Sequence, residues 1–355
     1  MLVKQLRLAN YRNYSRKVLD FSPGLNIIIG DNGVGKTNIL ESIVFVSNTK
    51  SFRTGNDQNL IKDDEEFSRI DLLSDEGSFK VVINRKNKSL FYNDVLVKRA
   101  SDYIGKLNAI LFKPSDLELF MQSPSERRKV LDIEIDKISN RYIQALLKYE
   151  SLLKDKNRLL KETEIDDTLF SVINESMAPP IKTIIEERED FFKHINRNIS
   201  SIYSRISDED RKISVKYRKC CETENIEEEL ERTKEKDLYY HYAVFGPHHD
   251  DYSFMMDDVD VNAMASQGQK RMVLIAFKFS LIDYIKEKTG KVPILLLDDI
   301  LSELDRDNKE RLLNIIPKGI QTIITDTDID RLDVREEYRL IEIKEEENVQ
   351  HIHQA

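Results

Sequence analysis

The stretch Leu25-Asn-Ile-Ile-Ile-Gly-Asp-Asn-Gly-Val-Gly-Lys-Thr37 constrains this chain more than any other. An apolar run long enough for one buried strand stops at Gly30 and is followed by two more glycines, a lysine and a threonine. Gly30 to Thr37 fits the spacing G-x-x-x-x-G-K-[ST], the signature of a loop that cradles phosphates between a strand and a helix. Glycines at positions 30, 33 and 35 permit positive φ and let backbone N–H groups face a polyphosphate. Lys36 reaches the terminal phosphates, Thr37 is a candidate Mg²⁺ ligand, and the helix expected to start near Lys36 adds its positive end. Gly30, Asp31, Asn32, Gly33, Val34, Gly35, Lys36, Thr37 and Asn38 are therefore the candidate nucleotide-binding residues.

A second apolar run, Ile294 to Leu297, ends in the paired carboxylates Asp298-Asp299. Open α/β sheets bind ligands at the carboxyl ends of their strands, so this run places Asp298 beside the phosphate loop. Asp298 is assigned to Mg²⁺ with Thr37, and Asp299 to orienting or deprotonating an attacking water. Two adjacent buried acids are costly without such a role. Between the two runs lies Ser266-Gln-Gly-Gln269 at the opening of an apolar helix, where a hydroxyl and backbone N–H groups suit an anion. Arg12, on a loop between two alternating segments, is a further candidate phosphate contact.

The rest of the chain sorts by periodicity. Short alternating segments before Phe112 read as strands, one broken at Asn93-Asp94 by a turn. Ser123-Pro-Ser-Glu126 is a capping box with proline at the first helical position. From Leu131 to Leu152 apolar residues recur at alternate spacings of four and three, a heptad seam. A partner stripe runs from Ile181 through Arg188 to Ile206 after Pro179-Pro180, which should kink or end a preceding helix. Two antiparallel helices of roughly 30 residues make an arm near 45 Å long. The expected organisation is an ATPase head, 1–122 with 208–355, interrupted by a helical lobe, 123–207.

A net charge of −9 opposes a surface basic throughout but leaves room for local basic faces. Residues 79 to 100 carry Lys80, Arg85, Lys86, Lys88, Lys98 and Arg99 against the one acid Asp94, with aromatics interleaved. Lys86, Lys88, Lys98 and Arg99 are the candidate DNA contacts, the alternative being an ordinary solvated hairpin. No run of 18 apolar residues is present, the N-terminus lacks a signal-peptide pattern, and the only cysteines, Cys220 and Cys221, are adjacent; a cytoplasmic location is expected.

The order of phosphate loop, Ser-Gln-Gly-Gln, strand-Asp-Asp and Ser302-Glu-Leu-Asp305 resembles the ABC-type ATPases. Tyr11-Arg-Asn-Tyr14, Ser51-Phe-Arg53, Phe112-Lys-Pro-Ser-Asp116, Ser123-Pro-Ser-Glu-Arg-Arg128 and Gly246-Pro-His248 narrow that to the RecF family of bacterial recombination mediators. The resemblance spans nearly the whole chain. It implies an α/β fold, an ABC/SMC-type P-loop ATPase head with an additional β-sheet and an inserted helical lobe. It implies ATP and Mg²⁺ as cofactors, ATP-dependent homodimers, weak DNA-stimulated ATPase activity and DNA binding in duplex and single-strand gap regions. Its partners would be RecO and RecR, with RecA loading as the outcome. Ser266, Gln267, Gly268 and Gln269 would close over ATP held by a second subunit. An SMC-type clamp would need longer arms, and an ABC-type ATPase subunit of another complex would not need the helical lobe. His249 stands where the family usually has arginine, which removes a fixed positive charge. Thr325-Asp-Thr327 occupies the place of a switch histidine, leaving either threonine as a candidate phosphate sensor, and Gln58 as a candidate metal-side ligand.

Overall fold

In the computed structural model, which describes residues 1–301, 304, 306–328 and 337–344, the chain divides into two compact units. The first comprises 1–98, 107–114 and 293–355; the second comprises 99–106 and 115–292. Of the Ser302-Glu-Leu-Asp305 motif, positions 302, 303 and 305 lie outside the described residues.

The first unit contains two sheets. In the parallel one, Tyr338–Glu342, Leu25–Ile29, Thr322–Asp326, Ile294–Asp298 and Ala109–Phe112 lie side by side in that order. Its central strands are buried on both faces, as in a sheet covered on both sides: Ile294 to Asp298 and Thr322 to Asp326 are buried at every residue. Register places Asp298 opposite Thr325 and Ile29 opposite Asp326, so the carboxyl ends of three neighbouring strands finish together. The helix Lys36–Asn48 buries Ile39, Leu40, Ile43, Val44 and Phe45.

The other sheet is antiparallel, with six strands ordered Tyr14–Asp20, Val3–Tyr11, Phe67–Ser74, Gly77–Asn84, Lys88–Tyr92 and Val95–Val97. The last hairpin turns at Asn93 and Asp94, with φ of 49° and 61°, which these residue types tolerate better than most. Buried Gln321 stitches the sheets: its side chain bonds both Val3 N and Val3 O, at 2.7 and 2.8 Å, and Ser22 O at 2.8 Å.

The second unit holds the helices Pro124–Asp136, Asn140–Leu159, Asp167–Ser207 and Gln267–Thr289 and a three-stranded sheet of Ile213–Arg218, Asp251–Met256 and Val259–Asp260. The capping box forms: Ser123 Oγ accepts from Glu126 N at 3.3 Å, and Glu126 Oε2 accepts from Ser123 N at 2.9 Å. The heptad seam is divided, because Ser139 caps a new helix by accepting from Tyr142 N at 3.1 Å. Pro179 and Pro180, expected to kink or end a helix, do not end one: they lie inside one helix of 41 residues. Met177, Ala178, Pro180 and Ile181 are all buried around the pair, so packing outweighs the two missing donors. At 41 residues the helix is about 60 Å long.

Contact density also draws the boundary elsewhere than 123–207. The Gln267–Thr289 helix packs on Asp167–Ser207 through edge-to-face pairs of Phe191 with Tyr284, at 5.1 Å, and with Phe277, at 6.4 Å. That apolar contact keeps residues up to Val292 with the helices rather than with the parallel sheet.

Arg188, the charged member of an apolar stripe, is the hub of this unit. Its guanidinium is 2% exposed and donates to Tyr142 Oη, Pro247 O, Asp250 Oδ2 and Asp132 Oδ1 at 2.8–2.9 Å. The segment Gly246–Asp251 is built around it: Tyr217 donates to Asp250, and Arg127 makes a two-pronged pair with Asp251 at 2.8 and 2.7 Å. His248 bonds Tyr149 Oη and Ala243 O, and burial, then neighbouring His249, pushes its imidazole down to about 4. His249 itself is exposed, its ring 4.1 Å from that of His248.

Removing one partner of a buried charge network strands the others. Arg188→Ala should therefore destabilise the protein by about 3–5 kcal/mol, read as a lowered urea midpoint; a change under about 1 kcal/mol would show that the network is not the hub described.

Candidate functional site

The loop Gly30–Gly35 leaves the Leu25–Ile29 strand and enters a helix whose cap, Gly35, has φ of +106° and supplies no side-chain bond to the first turn. A helix start without a side-chain cap leaves N–H groups open to an anion. Only glycine suits position 35: a Cβ there would meet Tyr14 Oη at 2.6 Å and Asn13 Nδ2 at 2.7 Å. Those two side chains brace the loop, donating to Val34 O at 3.2 and 3.0 Å.

Lys36 is 8% exposed and folds back on the loop, donating to Gly30 O at 2.6 Å and Asp31 O at 2.9 Å. Thr37 Oγ1 donates to Asp298 Oδ1 at 3.0 Å, although 261 positions separate them. Thr325 Oγ1 donates to the same oxygen at 2.8 Å and also accepts from Asp299 N at 3.1 Å. Asp299 turns the chain at the strand end with φ of +52°. Burial raises the Asp298 carboxyl above the ordinary aspartate range, Thr325 and Thr37 pulling the other way.

A cleft of about 270 Å³ opens here. It is lined by Asn32, Gly33, Gly35, Lys36, Thr37 and Asn38 of the loop and by Asp298, Asp299 and Thr325 of the strand ends. Of the other loop candidates, Gly30 and Asp31 offer their carbonyls to Lys36, and the Val34 side chain is buried in the core.

Arg53 is the lining residue that sequence reasoning did not single out. Half-exposed, it donates to Asn38 Oδ1 at 2.7 Å and stands 3.8 Å from buried Glu41. Its motif was visible in the sequence, but neither spacing nor periodicity gave it a role.

Arg12, expected as a phosphate contact, is not among the lining residues. Its guanidinium is engaged two-pronged by Glu41, at 2.8 and 2.6 Å, and by Asn59 O at 2.9 Å, satisfying a carboxylate that is 0% exposed. Gln58 likewise turns away, donating to Arg85 O at 2.6 Å.

Ser266 caps the Gln267–Thr289 helix: its Oγ accepts from Gln269 N at 3.2 Å, and Gln269 Oε1 accepts from Ser266 N at 3.0 Å. Ser266, Gln267 and Gly268 are exposed, in the second unit. Lys86 sits exposed on the Asn84–Asn87 turn and Lys98 is also exposed, whereas Arg99 belongs to the second unit and pairs with Asp102 at 3.3 Å. Lys88, expected as a DNA contact, is already engaged: it donates to Asp57 at 2.8 Å and Thr49 O at 2.5 Å and lies over the Phe45 ring.

The model of the RecF/RecN/SMC N-terminal domain matches residues 2–350. The chain is 35% identical to the DNA replication and repair protein RecF of Lachnoclostridium phytofermentans, over 93% of this chain and 94% of that one. The chain belongs to the RecF family. RecF of Clostridium botulinum is 37% identical over 94% of both chains. A solved structure of the recombination mediator protein RecF in its RecF-ATPrS form superposes with a TM-score of 0.87 at 30% identity, covering 97% of this chain and 96% of that one. The RecF-ATP form gives 0.85 at 30% identity and 92% of each chain. The Smc head domain of Pyrococcus furiosus, at 19% identity and a TM-score of 0.54 over 97% of this chain and 94% of that one, shares the fold. The α/β head architecture expected from the RecF-like motifs is thus the one observed. Among the described residues no helix is long and apolar enough to cross a membrane.

Burying an ionised carboxylate beside a second acid opposes folding of the ligand-free protein. Asp298→Asn keeps the acceptor oxygen and removes the charge, so it should raise the melting temperature of the ligand-free protein by about 2–4 °C, corresponding to roughly 1 kcal/mol. A lowered melting temperature in calorimetry would show that the Asp298 charge is compensated by groups other than the two threonines.

Proposed function

We propose that this RecF-family protein binds ATP with Mg²⁺ in the cleft between the phosphate loop and Asp298, dimerises on it, and binds DNA in recombinational repair. The observation that carries the reading is the convergence of Lys36, Thr37, Asp298, Asp299 and Thr325 on one cleft at the strand ends. Solved relatives named as RecF-ATP and RecF-ATPrS forms support it.

The donors fit magnesium. No group of three or more His, Cys, Asp or Glu is gathered among the described residues, and Mg²⁺ takes one or two protein oxygens, completing its octahedron with phosphates and water. Thr37 Oγ1 and Asp298 Oδ1, 3.0 Å apart, would supply those oxygens. When bound, the ion neutralises charge developing on the transferred phosphoryl group. Lys36 exchanges its two loop carbonyls for phosphate oxygens, Thr325 holds Asp298 and the backbone of Asp299 in register, and Asp299 orients or deprotonates the attacking water. Hydrolysis is weak and DNA-stimulated, a switch rather than a metabolic activity. In the ATP-closed homodimer, Ser266 to Gln269 of one subunit, exposed up to Gly268, meets the ATP of the other. With RecO and RecR as partners, the protein promotes RecA loading at single-strand gaps. Exposed Lys86 and Lys98 remain as DNA contacts of the first unit and Arg99 of the second.

Lys36→Met should abolish ATP binding in calorimetric titration while leaving the melting temperature of the ligand-free protein within about 2 °C; retained wild-type affinity would refute the phosphate-loop assignment.

Ser266→Arg should still bind one ATP yet neither dimerise nor hydrolyse it. Mixed with Lys36→Met, it can assemble one composite site from an intact loop and an intact serine motif. Phosphate release should then return to a fraction of the wild-type rate, alongside a dimer in sedimentation. A mixture that stays inactive at concentrations where the wild type dimerises would show that Ser266 does not act on a second subunit's ATP.

A further inference from the structure

The short helices Ile226–Arg232 and Lys234–Tyr240 of the second unit end in a turn at His241; two tyrosines close the second helix and a third lies just beyond it, and the nucleotide reading uses none of them. Tyr239, Tyr240 and Tyr242 are 77%, 52% and 48% exposed. Their rings touch in series: Tyr239 meets Tyr240 edge-on at 5.0 Å, and Tyr240 meets Tyr242 at 5.8 Å.

The turn is fixed rather than loose. His241 holds φ of +59° and bonds Leu160 O at 2.9 Å through Nδ1. Ala243 N donates to Asn157 Oδ1 at 2.7 Å, and Val244 N to Asp237 Oδ1 at 2.7 Å. Asp237 in turn faces Lys156 at 2.6 Å, both side chains 0% exposed. A buried ion pair under an exposed aromatic edge costs more than an apolar contact would, and its effect here is to hold the three rings in one arrangement.

Charge decides what such an edge fits. Between Glu222 and Asp237 eight acids stand against three bases, and two of those bases are already engaged, Arg232 by Glu229 at 2.5 Å and Lys234 by Asp167 at 3.3 Å. Exposed Glu227, Glu228, Glu231 and Glu235 on the helices, with Glu162 and Glu164 on the turn after Leu160, outnumber the exposed Lys161 and Lys236 on the same segments and set the sign of the local field. Stacked tyrosines would suit single-stranded bases, but nucleic-acid phosphates would meet these carboxylates. Tyrosine is also among the residues that dominate protein interfaces, because it buries a large rigid surface at small entropic cost.

We propose that the Tyr239–Tyr240–Tyr242 edge is a docking surface for a protein partner whose facing patch is basic. The tyrosines anchor, and the surrounding carboxylates steer association and set its salt dependence.

RecO and RecR serve as probes, a choice that rests on the function proposed above. Each is purified from the same organism and titrated against the immobilised full-length protein. At least one should bind the wild type. Replacing Tyr239, Tyr240 and Tyr242 together by serine should weaken that binding at least about 30-fold. Replacing Glu227, Glu228 and Glu231 by glutamine should slow association several-fold at low salt and little at high salt. ATP affinity and melting temperature should be unchanged in both variants. A tyrosine variant that binds as tightly as the wild type overturns the inference, as does one that instead loses affinity for a single-stranded oligonucleotide. A wild type that binds neither RecO nor RecR overturns the inference together with its partner reading, while the ATP site, judged independently by Lys36→Met, would stand.

Discussion

One buried oxygen, Asp298 Oδ1, ties the first unit's site together. It receives hydroxyls from Thr37, on the phosphate-loop helix, and from Thr325, on the neighbouring strand. Parallel pairing makes this possible, because Leu25–Ile29, Thr322–Asp326 and Ile294–Asp298 run the same way and end level. A slip of one residue in any of them would turn every side chain to the other face and carry the carboxylate away from the loop. The apolar core of the sheet therefore sets the site's geometry as well as its stability.

Sequence reading succeeded where a motif implies its own geometry. The phosphate loop, the Ser123 capping box and the strand ending in Asp298-Asp299 each carry local rules strong enough to fix an element, and each forms as expected. It was incomplete where a long-range partner decides. Arg12 was placed only by its loop; its partner, Glu41, is 29 positions away and buried. Lys88 looked like part of a basic stripe until folding brought Asp57 and Phe45 to it. The double proline looked like a break because its cost is local, whereas the packing of Met177 and Ile181 that outweighs it is tertiary.

The second unit shows the same principle with charges. A heptad stripe containing Arg188 reads as an apolar seam with one flaw, yet the guanidinium gathers Asp132, Asp250 and the carbonyl of Pro247. The acids of the Gly246–Asp251 motif thus serve the unit's own frame. The histidine at position 249, in place of a fixed cation, stands at the exposed end of that frame, its ring tilted against that of His248. Losing a permanent charge there leaves Asp250 and Asp251 satisfied, because Arg188, Arg127 and Arg218 already neutralise them.

Glu41 shows how the first unit keeps one cation in reserve beside the cleft. Its carboxylate is fully buried and needs compensation, which Arg12 supplies with two hydrogen bonds and Ser51 with a third at 2.5 Å. Arg53, at 3.8 Å, contributes charge to Glu41 without donating a hydrogen bond to it. Were Arg53 to swing toward an anion in the cleft, Glu41 would keep all three of its donors, so the movement leaves no buried charge unpaired. Were Arg12 to move instead, a 0% exposed carboxylate would lose its two-pronged partner. The two arginines stand on the same acid, but only Arg53 is released at small cost, and only Arg53 lines the cleft. Which arginine could move without unpairing Glu41 follows from which of them holds the hydrogen bonds.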